Sequence, residues 1–180
     1  MRATGVVSVF ALSMPLLASR QADGADMENQ AVVRRYVDHI NRGDAKAAAA
    51  EYATDAKNFG RPVGREGIET RLADIFATFP DWHMEIVEMI AAGEVVVVRC
   101  RVSGTHRGVG TMPSNGMPVG VAPTGKRFDV THMHWHTVRD GKIVEHYANR
   151  DDLSMLRQLG LLPSVAPSGP SSSTVREEVF

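Results

Sequence analysis

The stretch that decides the fold is Asp129-Val-Thr-His-Met-His-Trp-His-Thr-Val-Arg-Asp-Gly-Lys-Ile-Val-Glu-His-Tyr-Ala-Asn-Arg-Asp-Asp152. At its centre, Asp140-Gly141 favours a two-residue type I′ turn, because both central residues of that turn need a positive φ. The flanking residues therefore predict two antiparallel strands. The turn fixes which residues of the two strands lie opposite each other.

Directly opposed residues share one side of a sheet, and the side alternates along each strand. The predicted pairs are Arg139–Lys142, Val138–Ile143, His136–Glu145, His134–Tyr147, His132–Asn149 and Val130–Asp151. One face then collects His132, His134, Tyr147, Asn149 and Asp151; the other collects Met133, Trp135, Val144 and Ala148, with His146 opposite Trp135. The first face is poor in Lys and Glu, so we expect it to line a polar pocket rather than face water.

The composition is that of a soluble globular protein. The chain has 180 residues, of which 43% are apolar and 23% charged, and its formal net charge is −1. This length suffices for one domain with a core. No basic stripe indicates a nucleic-acid partner. The single cysteine, Cys100, excludes an intrachain disulfide and a cysteine-based metal site.

Three segments differ in composition. Residues 1–25 form a leader that is either signal-like or disordered, because Arg2 precedes an apolar run too short to span a membrane. If the signal is real, the protein is secreted or periplasmic; otherwise it is cytoplasmic. Residues 26–163 form the domain, with no membrane contact expected after leader removal. Residues 164–180 are rich in Ser and Pro and predict a disordered tail.

Within the domain, helices come first and strands follow, which indicates an α+β architecture. Asp26 and Asp44 are candidate N-caps of the first two helices, the second running to about Ala53. The remaining predicted elements are a helix over Glu66–Phe79, strands over Trp82–Ile90, Glu94–Thr105, Phe128–Val138 and Ile143–Arg150, and a helical turn over Leu153–Leu159. The Gly-rich segment from Arg107 to Gly120 contains apolar residues and is predicted to be a mobile lid.

An ordered set of segments resembles a known family. The set is Asn41-Arg-Gly-Asp44, Gly64-Arg-Glu-Gly-Ile68, Phe79-Pro-Asp-Trp82, Gly104-Thr-His-Arg-Gly108, Pro123-Thr-Gly-Lys126, Asp140-Gly-Lys-Ile-Val-Glu-His146 and Arg150-Asp-Asp-Leu-Ser-Met-Leu-Arg-Gln-Leu-Gly160. Together they resemble the SnoaL-like polyketide cyclase and predicted ester cyclase family over roughly residues 27–162. The resemblance implies a nuclear-transport-factor-2-like cone, in which N-terminal helices close a curved antiparallel sheet around a pocket. It also implies a small-molecule substrate and a lyase or isomerase that acts without a cofactor or metal.

In that family a carboxylate just before the last helical segment serves as general acid/base, and the matching residue is Asp151. A carboxylate in an apolar pocket has a raised pKa and becomes a competent base for enolate formation. His132, His134, Tyr147 and Asn149 are candidates to hydrogen-bond the developing oxyanion. Asp151 is also a candidate N-cap of the last helix, and both interpretations stay open.

The resemblance adds Asn58 as a loosely matched pocket residue, and His106 is a candidate at the pocket mouth. Two other functions compete with the enzyme. One is a non-catalytic protein that binds a small molecule in the same pocket. The other is a metal-dependent enzyme that uses the alternating His132, His134 and His136, with His106, Glu145 or Asp151 as a further ligand. The apolar face around Trp135 must be covered, which predicts a homodimer.

Overall fold

The computed structural model describes residues 14–113 and 117–162, with side chains described from residue 23 onward. Four helices are α1 (Met14–Asn41), α2 (Ala45–Ala50), α3 (Gly64–Thr78) and α4 (Asp152–Gln158). Six strands are β1 (Tyr52–Asn58), β2 (Arg61–Pro62), β3 (His83–Ala92), β4 (Val95–Thr105), β5 (Arg127–Arg139) and β6 (Lys142–Arg150). The predicted tail and residues 1–13 of the predicted leader lie outside the described residues.

The strands form one curved sheet in the order β2-β1-β6-β5-β4-β3, open at both edges. This confirms the expected α+β fold with helices packed on a curved sheet. The pairing is antiparallel except between β1 and β6, which run parallel. Within the described part of the chain, no helix combines the length and apolar character needed to cross a membrane.

The first helix packs its apolar stripe, which includes Val33, Val37 and Ile40, into the core. It begins before Asp26, so the predicted N-cap is wrong: the residues that precede Asp26 continue the helix. The Asp26 carboxylate instead accepts a hydrogen bond from Gly93 N at 2.8 Å, which ties the helix to the β3–β4 turn. At the other end, the Asn41 side chain bonds both backbone groups of Met84 at 2.8 and 2.9 Å.

The second helix confirms its predicted cap but ends earlier than expected. Asp44 accepts a hydrogen bond from Ala47 N at 2.9 Å. The helix stops at Ala50, and the chain from Tyr52 onward continues as β1 beside β6. Tyr52 is almost fully buried. Tertiary pairing with the sheet therefore overrides the helical propensity of the alanines.

The hairpin turn is confirmed, whereas the register beyond it is wrong. Asp140 and Gly141 have φ values of 49° and 68°, as a type I′ turn requires. Arg139 pairs with Lys142 and Val138 with Ile143, as predicted, but Thr137 then pairs with Glu145. Val144 is thus an extra residue in β6, a β-bulge.

The bulge moves every later β6 side chain to the opposite face of the sheet. The observed pairs are His136–His146, Trp135–Tyr147, His134–Ala148, Met133–Asn149 and His132–Arg150. Tyr147 and Asn149 therefore join the outer face with Met133 and Trp135. His146 and Ala148, which were predicted on that outer face, lie on the inner face with the histidines of β5.

Candidate functional site

A cavity of about 270 Å³ lies between the helices and the concave face of the sheet. Its apolar wall is formed by Ile40, Val63, Ile68, Leu72, Ile75, Trp82 and Met84. Its polar wall includes Asn58, Arg61, Arg71, His132, His134, His146 and Arg150. A space in which apolar side chains meet converging polar groups is typical of a small-molecule site, and the polar share is large here.

Four histidines pack side by side on the inner face of β5 and β6. His132, His134 and His136 alternate along β5, and His146 lies directly across from His136. The rings of His136 and His146 stack with centroids 4.9 Å apart, and those of His134 and His146 are 5.2 Å apart. We call these four residues the histidine cluster.

A short hydrogen-bond chain orients two rings of the cluster. His146 Nδ1 lies 2.9 Å from the amide oxygen of Asn58, and His146 Nε2 lies 2.9 Å from His134 Nδ1. Because the Asn58 oxygen can only accept, His146 Nδ1 carries a proton and its Nε2 presents a lone pair. His134 then donates through Nδ1, and its Nε2 is left as an acceptor.

Burial keeps the cluster uncharged. Burial, together with the smaller effect of Arg150, lowers the pKa of His134 to about 4. Burial and neighbouring His134 lower the pKa of His136 to about 3. For His132, burial, His134 and Arg150 lower the pKa to about 3, against an opposing effect of Asp151. The pKa of His146 is likewise well below its usual value because of burial and its neighbours. Near neutral pH, all four imidazoles therefore offer one donor and one acceptor each.

Several of these nitrogens lack a hydrogen-bond partner among the described residues. They are both ring nitrogens of His132, Nε2 of His134 and Nδ1 of His136. An unpaired buried polar group costs about 1–3 kcal/mol, so a cluster of them indicates a place where a ligand binds.

Guanidinium groups also border the cavity. Arg150 pairs with Asp152 at 2.9 Å, and this pair is largely buried. Arg71, on α3, reaches the cavity with its Nε buried and without a partner among the described residues. Arg61 lies exposed on β2 and lines the same space. The cavity is thus lined by fixed positive charge but by no carboxylate among the residues that the structure describes.

The structure brings only part of the predicted site together. His132, His134 and Asn58 line the cavity. Tyr147 and Asn149 lie on the outer face because of the bulge at Val144. Their predicted place beside the histidines is therefore wrong.

Asp151 lies at the N-terminus of α4, and His106 lies in the core. The exposed carboxylate of Asp151 accepts a hydrogen bond from Ser154 N at 3.0 Å, and bonds from Ser154 lower its pKa. Its predicted place on the histidine face is wrong, because the last residue pair across the strands is His132–Arg150. His106 is fully buried with its ring 5.5 Å from that of Phe79, so its predicted position at the pocket mouth is also wrong.

Sequence reasoning missed His146, Arg150 and Arg71 as residues of the site. His146 and Arg150 were hidden by the predicted register, and neither neighbour of Val144, Ile143 or Glu145, is a glycine that would signal a bulge. Arg71 follows the ordinary pattern of an amphipathic helix. Only the packing of α3 over the sheet shows that it reaches the cavity.

The predicted lid is attached to α3 in two places. Thr111 donates to the Asp74 carboxylate through its N–H and hydroxyl, at 2.9 and 2.6 Å. Arg107 N and Gly108 N both donate to Thr78 O at 3.0 Å. Pro113, just before the undescribed residues 114–116, lines the cavity. The described part of the segment thus borders the cavity at Pro113, and its role and mobility as a lid stay predictions.

Comparison with known proteins identifies the family. The family model of the SnoaL-like polyketide cyclases matches residues 30–159. The chain belongs to the SnoaL-like polyketide cyclase family. No curated protein matches it.

Solved structures agree with this assignment. IdmH of Streptomyces antibioticus, a proposed polyketide cyclase, is 30% identical over 73% of this chain and 98% of its own, with a TM-score of 0.60. AclR of Streptomyces galilaeus, a proposed hydroxylase, is 26% identical over 77% and 99%, with a TM-score of 0.64. A SnoaL-like protein of Jannaschia sp. CCS1 is 23% identical over 77% and 96%, with a TM-score of 0.63, and so supports the fold alone.

Proposed function

We propose that this SnoaL-like protein binds a compact carbonyl compound in its cavity and catalyses an aldol-type cyclisation by acid–base chemistry. The observation that carries the proposal is His132, whose two ring nitrogens are buried at the cavity without a partner among the described residues. The cavity volume of about 270 Å³ lies just below the usual range for small-molecule pockets, about 300–1,000 Å³, which favours a compact substrate.

His132 would act first as the base. Its low pKa keeps the ring neutral at pH 7, so a lone pair is available to remove a proton from the carbon beside a carbonyl. The C–H bond breaks, an N–H bond forms, and an enolate develops next to the new imidazolium. The enolate supplies the negative charge that stabilises the protonated ring.

Ring closure returns the proton. The enolate carbon attacks a second carbonyl of the same molecule and forms a C–C bond. The resulting alkoxide then takes the proton back from His132. Arg150 lines the cavity beside His132, and its N–H groups not engaged by Asp152 can stabilise the oxyanion. The reaction causes no net oxidation or reduction, so it requires no redox cofactor.

Asp151 has a supporting role in this proposal. The carboxylate opposes the fall in the pKa of His132 without lining the cavity. The negative charge of Asp151 favours the imidazolium form of His132 that proton abstraction creates. The carboxylate base expected from the family resemblance is thereby replaced by a histidine that lies next to a carboxylate.

The test measures proton abstraction from a panel of small β-keto esters. In D2O, NMR follows the loss of the α-proton signal, and the rate with protein is compared with the rate in buffer alone. His132→Gln should lower the enzyme-dependent rate about 10²–10⁴-fold, the usual contribution of a general base. Asp151→Asn should lower it far less. A large loss in Asp151→Asn with full exchange in His132→Gln would restore the carboxylate mechanism. Binding of the esters without any exchange would show a non-catalytic binder.

Arg71 indicates that the substrate carries an anionic group. Its partly buried guanidinium has no ion-pair partner within hydrogen-bond distance among the described residues, unlike that of Arg150, although its charge also acts on the nearby Asp74 carboxylate. Hydrogen bonds to charged groups contribute about 1.5–3 kcal/mol, so Arg71→Gln should raise KM about 10–100-fold for an acid substrate. Arg71→Lys should recover part of that loss. Equal KM values for an acid and its methyl ester in the wild type would contradict the assignment.

A further inference from the structure

The innermost histidine of the cluster is not explained by a substrate in the cavity. His136 is almost fully buried, and its Nδ1 has no hydrogen-bond partner among the described residues. His134 and His146 line the cavity, whereas His136 lies behind them, against Tyr36 at 5.7 Å between ring centroids. A carbonyl substrate could therefore satisfy His132 and His134 while leaving His136 unpaired.

One ion could contact all three rings together. One ring nitrogen each of His134, His136 and His146 lies within 4.8 Å of the other two. Neutral imidazoles are the form that binds metals, and burial keeps these three rings neutral. We propose that His134, His136 and His146 bind a divalent first-row transition-metal ion, with Zn²⁺ as the reference ion, at the base of the cavity.

The rings must turn to receive an ion. Zn²⁺ binds imidazole nitrogen at about 2.0–2.1 Å, so two ligand nitrogens of a tetrahedral site lie about 3.4 Å apart. The three nitrogens lie within 4.8 Å of one another, and the rings are stacked with interplanar angles of 8–25°, so binding requires ring rotations that point the three lone pairs at one place. Binding replaces the His134–His146 hydrogen bond, while the bond from His146 to the Asn58 oxygen can persist. A hydrogen bond from the second nitrogen of a ligating histidine is the usual way such rings are oriented.

The nearby charges oppose an ion at this place only in part. Arg150 is close enough to lower the pKa of His134, but it forms an ion pair with Asp152 that offsets much of its charge. Arg61 and Arg71 also line the cavity, so the three imidazoles must bind the ion against their positive charge. Three histidines leave a coordination position open, and His134 and His146 border the cavity. An open position there would hold water or a substrate oxygen. The inference goes beyond the proposed acid–base function, does not depend on it, and departs from the expectation of a site without metal.

The test measures the ion directly on the full chain, after removal of any affinity tag and of metal by a chelator. Titration with Zn²⁺ by calorimetry should give one tight site per chain, and elemental analysis after gel filtration should recover one ion. Co²⁺ should produce the visible absorption of a tetrahedral nitrogen site. Failure of the wild type to retain Zn²⁺ would overturn the proposal.

Two variants locate the site. His136→Gln removes a ligand that lies outside the cavity lining and should weaken Zn²⁺ binding at least about 100-fold, because loss of a residue that only supports a ligand already costs about 10–100-fold. His106→Gln changes a buried histidine in a different part of the core and should bind Zn²⁺ as the wild type does. Zn²⁺ should raise the Tm of the wild type and of His106→Gln but not that of His136→Gln.

Each outcome bears on the proposal. Equal Zn²⁺ affinity in His136→Gln and the wild type would overturn it. If His136→Gln does not fold, the wild-type stoichiometry and the Co²⁺ spectrum decide. His132→Gln should keep the ion while losing proton abstraction, so the metal site and the proposed reaction can fail separately.

Discussion

The two faces of the β5–β6 hairpin are formed by alternate residues of the same two strands, yet they differ in burial and in polarity. The inner face carries the histidine cluster, which is buried and uncharged. The outer face exposes Met133 and Trp135 to 49% and Tyr147 to 42%. On the inner face, polar groups are buried without enough partners. On the outer face, apolar groups are exposed without cover.

Both faces are therefore incomplete, in opposite senses. Unpaired buried nitrogens call for a ligand, whereas exposed apolar side chains call for a second apolar surface. The single bulge at Val144 determines which β6 residues lie on the inner face and which lie on the outer face. Without it, Tyr147 and Asn149 would lie among the histidines, and His146 would lie outside.

The largest effect should come from shifting the register of β6 beyond that bulge. Insertion of one alanine between Glu145 and His146 would move every later residue by one position and turn His146, Ala148 and Arg150 outward. It would also bury the Tyr147 hydroxyl and the Asn149 amide. We expect a loss above about 4 kcal/mol, which is exceptional for a single change and marginal for folding. Urea unfolding followed by circular dichroism measures it.

Val144→Ala is the matched control, because it keeps the residue count and therefore the register. It should lose less than half as much stability as the insertion. An insertion variant that folds with wild-type stability would show that the register of β6 does not determine the two faces.

The fold was predictable wherever local chemistry agreed with packing. Asp140-Gly141 admits few turns, so the hairpin followed from two residues. Asp44 capped α2 as expected, whereas Asp26 did not cap α1. Both aspartates suit an N-cap, and the difference lies in whether the preceding residues are themselves helical.

The candidate site was less predictable, because it depends on contacts between elements far apart in sequence. The alternation of His132 and His134 was sufficient to place both on one face. The residue pairing between β5 and β6 could not be inferred beyond the first two pairs, because no residue type at or beside Val144 signals a bulge. A one-residue error then misplaced Tyr147, Asn149 and Asp151 together.

The next effect concerns the outer face, where the homodimer stays a prediction. Trp135→Glu puts a charge at the centre of the exposed apolar surface and should leave a monomer at tens of micromolar in light scattering. Its Tm as a monomer should change little, because the side chain is about half exposed already. Trp135→Phe is the control and should stay dimeric. A wild-type monomer would contradict the prediction and leave the outer face to another partner.

The smallest effect concerns Asp151, which lies where the two faces end. Its carboxylate caps α4 through Ser154 N, and removing an N-cap costs about 1 kcal/mol, so Asp151→Ala should lose about that much stability at pH 7.

Hydrogen bonds from Ser154 hold the pKa of this carboxyl below its usual value. A lowered folded-state pKa means that the stabilisation is present above about pH 4, the ordinary value, and is lost as the pH falls through the folded-state pKa. The stability difference between the wild type and Asp151→Ala should therefore shrink in acid, as measured by urea unfolding at a series of pH values. A difference that is constant from pH 7 down to pH 3 would mean that the carboxylate does not cap the helix in its charged form.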